Sequence, residues 1–105
     1  MLKSSTIEII KTTIGTFLPG TKVVLFGSMA RGDFNIDSDF DIMVITPDTY
    51  EEKDKITWRA KVRKALIRAL HAPVDLLINS EEEINRKRKL PGHIVQYAME
   101  EGVVL

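Results

Sequence analysis

The chain has 105 residues, and its fifteen basic residues balance fifteen acidic ones. This length suits one hydrophobic core, so we expect a single domain over residues 1–105. Zero net charge provides no whole-molecule field toward nucleic acid or anionic membranes, so direct nucleic-acid binding is not expected. The absence of cysteine excludes disulfides, thiolate metal sites and a cysteine nucleophile. No apolar run approaches the roughly 20 residues of a membrane span, so we expect a cytoplasmic protein.

The N-terminal half predicts a helix followed by two strands. Ser5 and Glu8 have the spacing of a capping box, and isoleucines then recur at helical spacing up to Phe17. Pro19 cannot continue that helix, and the valine-rich run after it is typical of a strand buried on both faces. The predicted elements are a helix over 5–17, a strand over 23–26, a loop or short helix over 27–38 and a strand over 39–45.

The C-terminal half predicts a long helix, a third strand and two shorter helices. One apolar stripe of the long helix consists of Trp58, Val62, Leu66 and Leu70. Ser80 and Glu83 have the spacing of a second capping box. The predicted elements are a helix over about 51–70, a strand over 74–78, a helix after Ser80, a helix over about 94–100 and a short terminal strand over 102–105. Together these elements indicate a small mixed β-sheet flanked by helices, of the α/β (α+β) class.

Three aspartates and a glycine-bearing turn form the pattern that indicates a binding or catalytic site. Asp39 and Asp41 stand at the start of the second strand, where alternate residues share a face about 6.6 Å apart at Cα. Asp75 lies alone among apolar residues of the third strand, where an unpaired buried charge is costly. If these strands are neighbours, about 4.8 Å apart, Asp75 joins the other two. Gly27 lets backbone N–H groups approach a ligand closely, and the Ser28 hydroxyl can hold phosphate oxygens.

Electrostatics predicts what such a cluster would bind. Carboxylates about 6 Å apart repel by roughly 3 kcal/mol per pair at an effective dielectric of 20. Summed over three pairs, this approaches the whole stability of a small domain, roughly 5–15 kcal/mol. A bound cation relieves the repulsion, and an all-oxygen ligand set selects Mg²⁺ or Mn²⁺ over zinc. Carboxylates that hold Mg²⁺ beside a phosphate-binding turn are the parts of two-metal nucleotidyl transfer.

The run from Gly27 to Asp41 resembles the signature of the DNA polymerase β-like nucleotidyltransferase superfamily, which is Gly-Ser, ten residues and Asp-x-Asp. The ten intervening residues here are Met29 to Ser38. The resemblance covers nearly the whole chain and is greatest to the minimal nucleotidyltransferases (MNT), which lack the extra domains of larger relatives. It implies the polymerase β-like nucleotidyltransferase fold. In that family an MNT antitoxin attaches AMP to a tyrosine of a HEPN ribonuclease toxin and silences it.

The resemblance also implies a role for each site residue. Asp39 and Asp41 would bind the two Mg²⁺ ions that hold the triphosphate of ATP. Asp75 would complete one metal site and help to deprotonate the attacking hydroxyl. The residues that seat the phosphates would be Gly27, Ser28 and Arg31. The reaction would be an in-line attack on the α-phosphate with loss of pyrophosphate, and the implied partner is a HEPN toxin in a toxin–antitoxin complex.

Several alternatives stay open at this point. An MNT protein could neutralise its toxin by binding alone, and aminoglycoside-modifying relatives transfer nucleotides to small molecules. Arg31 suits a salt bridge with a nearby acid as well as a phosphate contact. The basic run over 86–89 could meet RNA or an acidic partner, but the i,i+4 pairs Glu82–Arg86 and Glu83–Lys87 favour a solvated helix face. The residues expected outside the site are His71 and His93, together with Tyr50, Trp58 and Tyr97 in packing roles.

Overall fold

The computed structural model describes residues 2–35 and 37–105 of the chain. Within those ranges it contains five helices and four strands. The elements are α1 (Ser4–Phe17), β1 (Lys22–Phe26), α2 (Gly27–Arg31), β2 (Phe40–Thr46), α3 (Glu52–Leu70), β3 (Val74–Ser80), α4 (Glu81–Lys87), α5 (Ile94–Glu101) and β4 (Val103–Val104). Ile36, which falls in the predicted loop over 27–38, lies outside the described residues. No described helix combines the length and the apolar character that crossing a membrane requires.

The four strands form one mixed sheet in the order β3-β2-β1-β4. β1 runs antiparallel to both β2 and β4, whereas β2 and β3 are parallel. A parallel pair needs a long crossover, and α3 provides it. The predicted mixed sheet is confirmed, and the second and third strands are neighbours, which is the condition under which Asp75 was expected to approach Asp41. The end of β1 and the starts of β2 and β3 therefore meet at one edge of the sheet.

Helices cover both faces of the sheet, because successive strand residues point to opposite sides. One core cluster joins α1 and α3 to alternate strand residues that include Ile42 and Leu76. The other joins α4 and α5 to the intervening residues, among them Phe26 and Met43. Asp41 precedes Ile42 and Asp75 precedes Leu76, so both aspartates point to the face that α4 and α5 cover.

The main differences from the predicted elements are at the starts of α1 and β2 and at the end of β3. The prediction of a capping box at Ser5 is wrong. α1 begins at Ser4 with Lys3 as its N-cap, so Ser5 lies inside the helix, and no side chain caps the helix start. β2 begins at Phe40, which leaves Asp39 just outside the strand. β3 continues to Ser80, two residues beyond its predicted end. The second capping box is confirmed, because Ser80 and Glu83 exchange both hydrogen bonds at the start of α4.

A buried polar network closes the edge of the sheet opposite to the aspartates. The Lys55 side chain, which is 6% exposed, reaches from α3 to the carboxylate of Glu83 in α4. Lys87 Nζ lies 3.7 Å from the same carboxylate and donates to Asn79 Oδ1 at 2.7 Å. Burial would raise the pKa of Glu83, but the hydrogen bonds from Lys55 and Ser80 and the two lysine charges outweigh it and lower the pKa. This edge is therefore structural, since its charges are paired.

We predict that Lys55→Met destabilises the protein by about 3 kcal/mol at pH 7, because it leaves the buried Glu83 carboxylate without its main partner. Urea denaturation of both proteins measures the difference. The stability that comes from Glu83 is present above its unfolded pKa of about 4.3 and is lost as the pH falls through its lowered folded value, so the difference should shrink in acid. Lys53→Met is the matched control, because Lys53 forms an exposed pair with Glu51 that should contribute at most about 0.5 kcal/mol. Equal losses in the two variants would contradict the prediction.

Candidate active site

Gly27 begins α2 immediately after β1, and its backbone has a φ of 72°, in the left-handed region that favours glycine. A Cβ atom at this position would lie far inside van der Waals contact with Oδ2 of Asp41. The Asp41 carboxylate therefore packs directly on the Gly27 backbone. Ser28, the next residue, is half-buried in the first turn of α2. The turn and the strand residue that the sequence singled out are in contact.

Asp41 and Asp75 form a pair across β2 and β3. They are register partners in the parallel ladder, and Phe26 at the end of β1 is the antiparallel partner of Asp41. The two carboxyl groups are close enough that the charge of Asp75 raises the pKa of Asp41. The expected meeting of these two side chains is thus present in the fold, whereas their chemical roles stay predictions.

Asp39 stands apart from this pair. It precedes β2 and is exposed, although its charge still acts on Asp41. Across the ranges 2–35 and 37–105, no three acidic or histidine side chains converge in the arrangement of a metal site. The close contact is therefore between two carboxylates, and Asp39 lies one residue before the strand.

The environment of Asp41 disfavours its charged form. Burial raises the pKa of Asp41 most, the neighbouring carboxylates of Asp75 and Asp39 raise it further, and the positive charge of Arg31 partly opposes them. Such an environment favours protonation of the carboxyl group or the binding of a cation. The donor set of carboxylate oxygens is the one that Mg²⁺ prefers.

Arg31, the last residue of α2, has two partners. Its Nε lies 3.2 Å from Oδ2 of Asp33, and its Nη1 donates to the hydroxyl of Tyr97 at 2.6 Å. The salt bridge that the sequence left open therefore exists, and the acid is Asp33. The Tyr97 ring packs edge-on against Phe26, with centroids 6.2 Å apart. Sequence reasoning missed Tyr97, since no local pattern connects a residue of α5 with one of α2.

The remaining candidates serve the fold. Nδ1 of His93 accepts a hydrogen bond from the Val95 N–H and so caps α5. His71 ends α3 in a left-handed conformation. In the basic run, Lys87 pairs with Glu83 as the spacing predicted, whereas no ion pair between Glu82 and Arg86 is found in the part of the chain that the structure describes.

We predict that Gly27→Ala destabilises the protein by about 1–3 kcal/mol more than Gly32→Ala, as measured by denaturant unfolding. Both residues have positive φ angles, so backbone strain should destabilise both alanine variants by a similar amount, roughly 1–2 kcal/mol. Only Gly27 has a side chain in the space of the new methyl group, because nothing lies within 4 Å of a Cβ at Gly32. The excess should largely disappear in an Asp41→Ala background; an excess that persists there would show that the contact with Asp41 is not its cause.

We also predict that Asp41→Asn stabilises the metal-free protein at pH 7, by on the order of 1 kcal/mol. Because the folded pKa of Asp41 is raised, its favourable contribution is complete below the unfolded value of about 3.9 and is lost as the pH rises through the folded value. The gain in melting temperature should therefore be present at pH 7 and vanish near pH 3. The exposed Asp48→Asn is the control and should change little at either pH. A loss of stability at pH 7 would contradict the assignment of repulsion at Asp41.

Comparison with known proteins identifies the family. The family profile described as a nucleotidyltransferase domain matches residues 7–105. A Methanocaldococcus jannaschii protein, named as a proposed protein adenylyltransferase, is 29% identical over 84 residues, which are 80% of this chain and 76% of that protein.

Solved structures share the fold. A chain of a toxin–antitoxin complex with AMP-PNP superposes with a TM-score of 0.70 at 24% identity, over 92% of this chain and 69% of that one. A chain of the Shewanella oneidensis complex between a tri-AMPylated HEPN toxin and its MNT antitoxin gives 0.66 at 21% identity, over 98% and 71%. The profile match spans both the turn at Gly27 and the paired aspartates, and the chain belongs to the nucleotidyltransferase domain family.

Proposed function

We propose that this protein transfers AMP from ATP to a tyrosine hydroxyl of a HEPN ribonuclease toxin, and that it acts in the cytoplasm as the antitoxin of that toxin. The observation that carries the proposal is the Asp41–Asp75 carboxylate pair packed against the turn at Gly27. Membership of the nucleotidyltransferase domain family supports the reaction class. The name of the archaeal relative supports a protein acceptor, and the tri-AMPylated HEPN toxin in the Shewanella oneidensis complex supports a toxin as that acceptor.

The residues present fit a divalent cation. Asp41 and Asp75 offer adjacent carboxylates whose mutual repulsion a cation would relieve, and Asp39 is near enough to contribute its charge. Asp39 and Asp41 would hold Mg²⁺ with the triphosphate, and Asp75 would complete one of two metal positions. When bound, Mg²⁺ supplies charge neutralisation at the α-phosphate and lowers the pKa of a bound hydroxyl.

The chain itself would orient the reactants. The backbone at Gly27 and the Ser28 hydroxyl would seat phosphate oxygens beside Asp41, with Arg31 as a further cation. Asp75 would accept the proton of the attacking tyrosine hydroxyl. The hydroxyl oxygen bonds to the α-phosphorus, the bond from the α-phosphorus to the bridging oxygen breaks, and pyrophosphate leaves with that electron pair. These roles would make the edge of the sheet at Asp41 the place where ATP and tyrosine meet.

We predict that the protein, with Mg²⁺ and ATP, adds a mass of roughly 329 Da, one AMP unit, to a HEPN protein from the same genome. Asp39→Asn, Asp41→Asn and Asp75→Asn should each reduce that product at least a hundredfold, because each removes a carboxylate from the proposed metal positions. Intact-mass spectrometry of the HEPN protein measures the product, and replacing Mg²⁺ with EDTA should abolish it.

The exposed Asp48→Asn is the matched control and should transfer AMP at the wild-type rate. Unchanged labelling by the Asp39→Asn/Asp41→Asn double variant would overturn the site assignment. A wild-type protein that binds and silences the HEPN protein without any gain in mass would instead identify an antitoxin that acts by binding alone.

A further inference from the structure

The Arg31 guanidinium is held in place by contacts on two sides. It has five N–H donors, of which the Nε–H faces Asp33 and one on Nη1 binds the Tyr97 hydroxyl. No further hydrogen bond from this side chain is found within residues 2–35 and 37–105. Three N–H donors therefore stay available on a side chain whose direction is already set.

Tyr97 is itself anchored beside the aspartates. Its ring packs edge-on against Phe26, with an interplanar angle of 80°, in the core cluster between the sheet and α5. Phe26 is the register partner of Asp41 and directly precedes Gly27. The Tyr97 hydroxyl is thus placed at the same edge of the sheet as the carboxylate pair. The Arg31 guanidinium donates a hydrogen bond to this hydroxyl. Its positive charge is close enough to Asp41 to oppose the rise in the pKa of Asp41.

The backbone alone would not direct Arg31. α2 has five residues, and Gly32 ends it in a left-handed conformation, so the side chain projects from the last position of a short helix. An unrestrained arginine has about 2 kcal/mol of rotamer entropy to lose when it binds a phosphate. The hydrogen bond to Tyr97 removes much of that freedom before any ligand arrives, which is the general basis of preorganised binding.

We infer that Tyr97 is a positioning residue for nucleotide binding: its hydroxyl fixes the Arg31 guanidinium at the edge of the site, where the free N–H donors contact the triphosphate. The inference rests on the proposed function and adds to it a residue of α5, which is 66 positions away from Arg31 along the chain.

Tyr97→Phe tests this inference, because it removes the hydroxyl and keeps the ring against Phe26. We expect the dissociation constant of AMP-PNP with Mg²⁺, measured by isothermal titration calorimetry, to rise about tenfold, the loss of one hydrogen bond to a charged group. In AMP transfer to the HEPN protein, KM for ATP should rise similarly while kcat changes less than about threefold. Tyr50→Phe is the matched control, since the other tyrosine of the chain packs on the opposite face of the sheet.

The double variant separates positioning from a direct or structural role. If Tyr97 acts through Arg31, adding Tyr97→Phe to Arg31→Ala should change binding less than about twofold. Arg31→Lys leaves α5 intact but cannot keep the fork geometry toward Asp33 and Tyr97, so it should weaken binding about as much as Tyr97→Phe does.

Two results would overturn the inference alone while the wild-type protein transfers AMP normally. One is a Tyr97→Phe variant that binds AMP-PNP as tightly as Tyr50→Phe does. The other is a double variant in which the two losses multiply. Absence of both AMP transfer and AMP-PNP binding in the wild-type protein would overturn the proposed function and the role of Tyr97 together.

Discussion

The repulsion between Asp41 and Asp75 is the constraint on which the site depends. Parallel pairing of β2 and β3 places the two carboxyl groups side by side, and burial together with the charge of Asp75 raises the pKa of Asp41. Gly27 allows this arrangement, because any side chain there would occupy the space of the Asp41 carboxylate. Such a carboxylate pair lowers the stability of the fold and favours binding of a cation, as expected of a functional site.

A carboxylate is paired with lysines at one edge of the sheet, whereas carboxylates lie next to one another at the other edge. At the edge formed by the ends of β2 and β3, Glu83 is buried with Lys55 and Lys87, and its pKa is lowered. At the other edge the carboxylates face one another with Arg31 as the nearby cation. About 16 Å of strand separates Asp75 from Ser80. The paired network can therefore stabilise the sheet without neutralising the charges of Asp41 and Asp75, which are proposed to act in the reaction.

Arg31 joins the turn at Gly27 to the helix layer behind the sheet. Its bond to Tyr97 connects α2 to α5, and the Tyr97 ring rests on Phe26 beside Asp41. The position of the Arg31 guanidinium thus depends on how α5 packs on the sheet.

The amino-acid sequence by itself determined the sheet class, the order of the elements, the capping box at Ser80 and the identity of the family. Those features follow from local periodicity and from the spacing between Gly27 and Asp41, and both are visible along the chain. Local patterns could not locate the true start of α1 or the exclusion of Asp39 from β2, because an N-cap and a strand end depend on which backbone groups find partners. Only the tertiary structure decided that Asp75 lies directly beside Asp41, that Gly27 is in contact with a carboxylate and that Tyr97 holds Arg31. Each of these contacts joins residues far apart in the sequence, so it follows from strand register and helix packing and from no pattern that neighbouring residues could reveal.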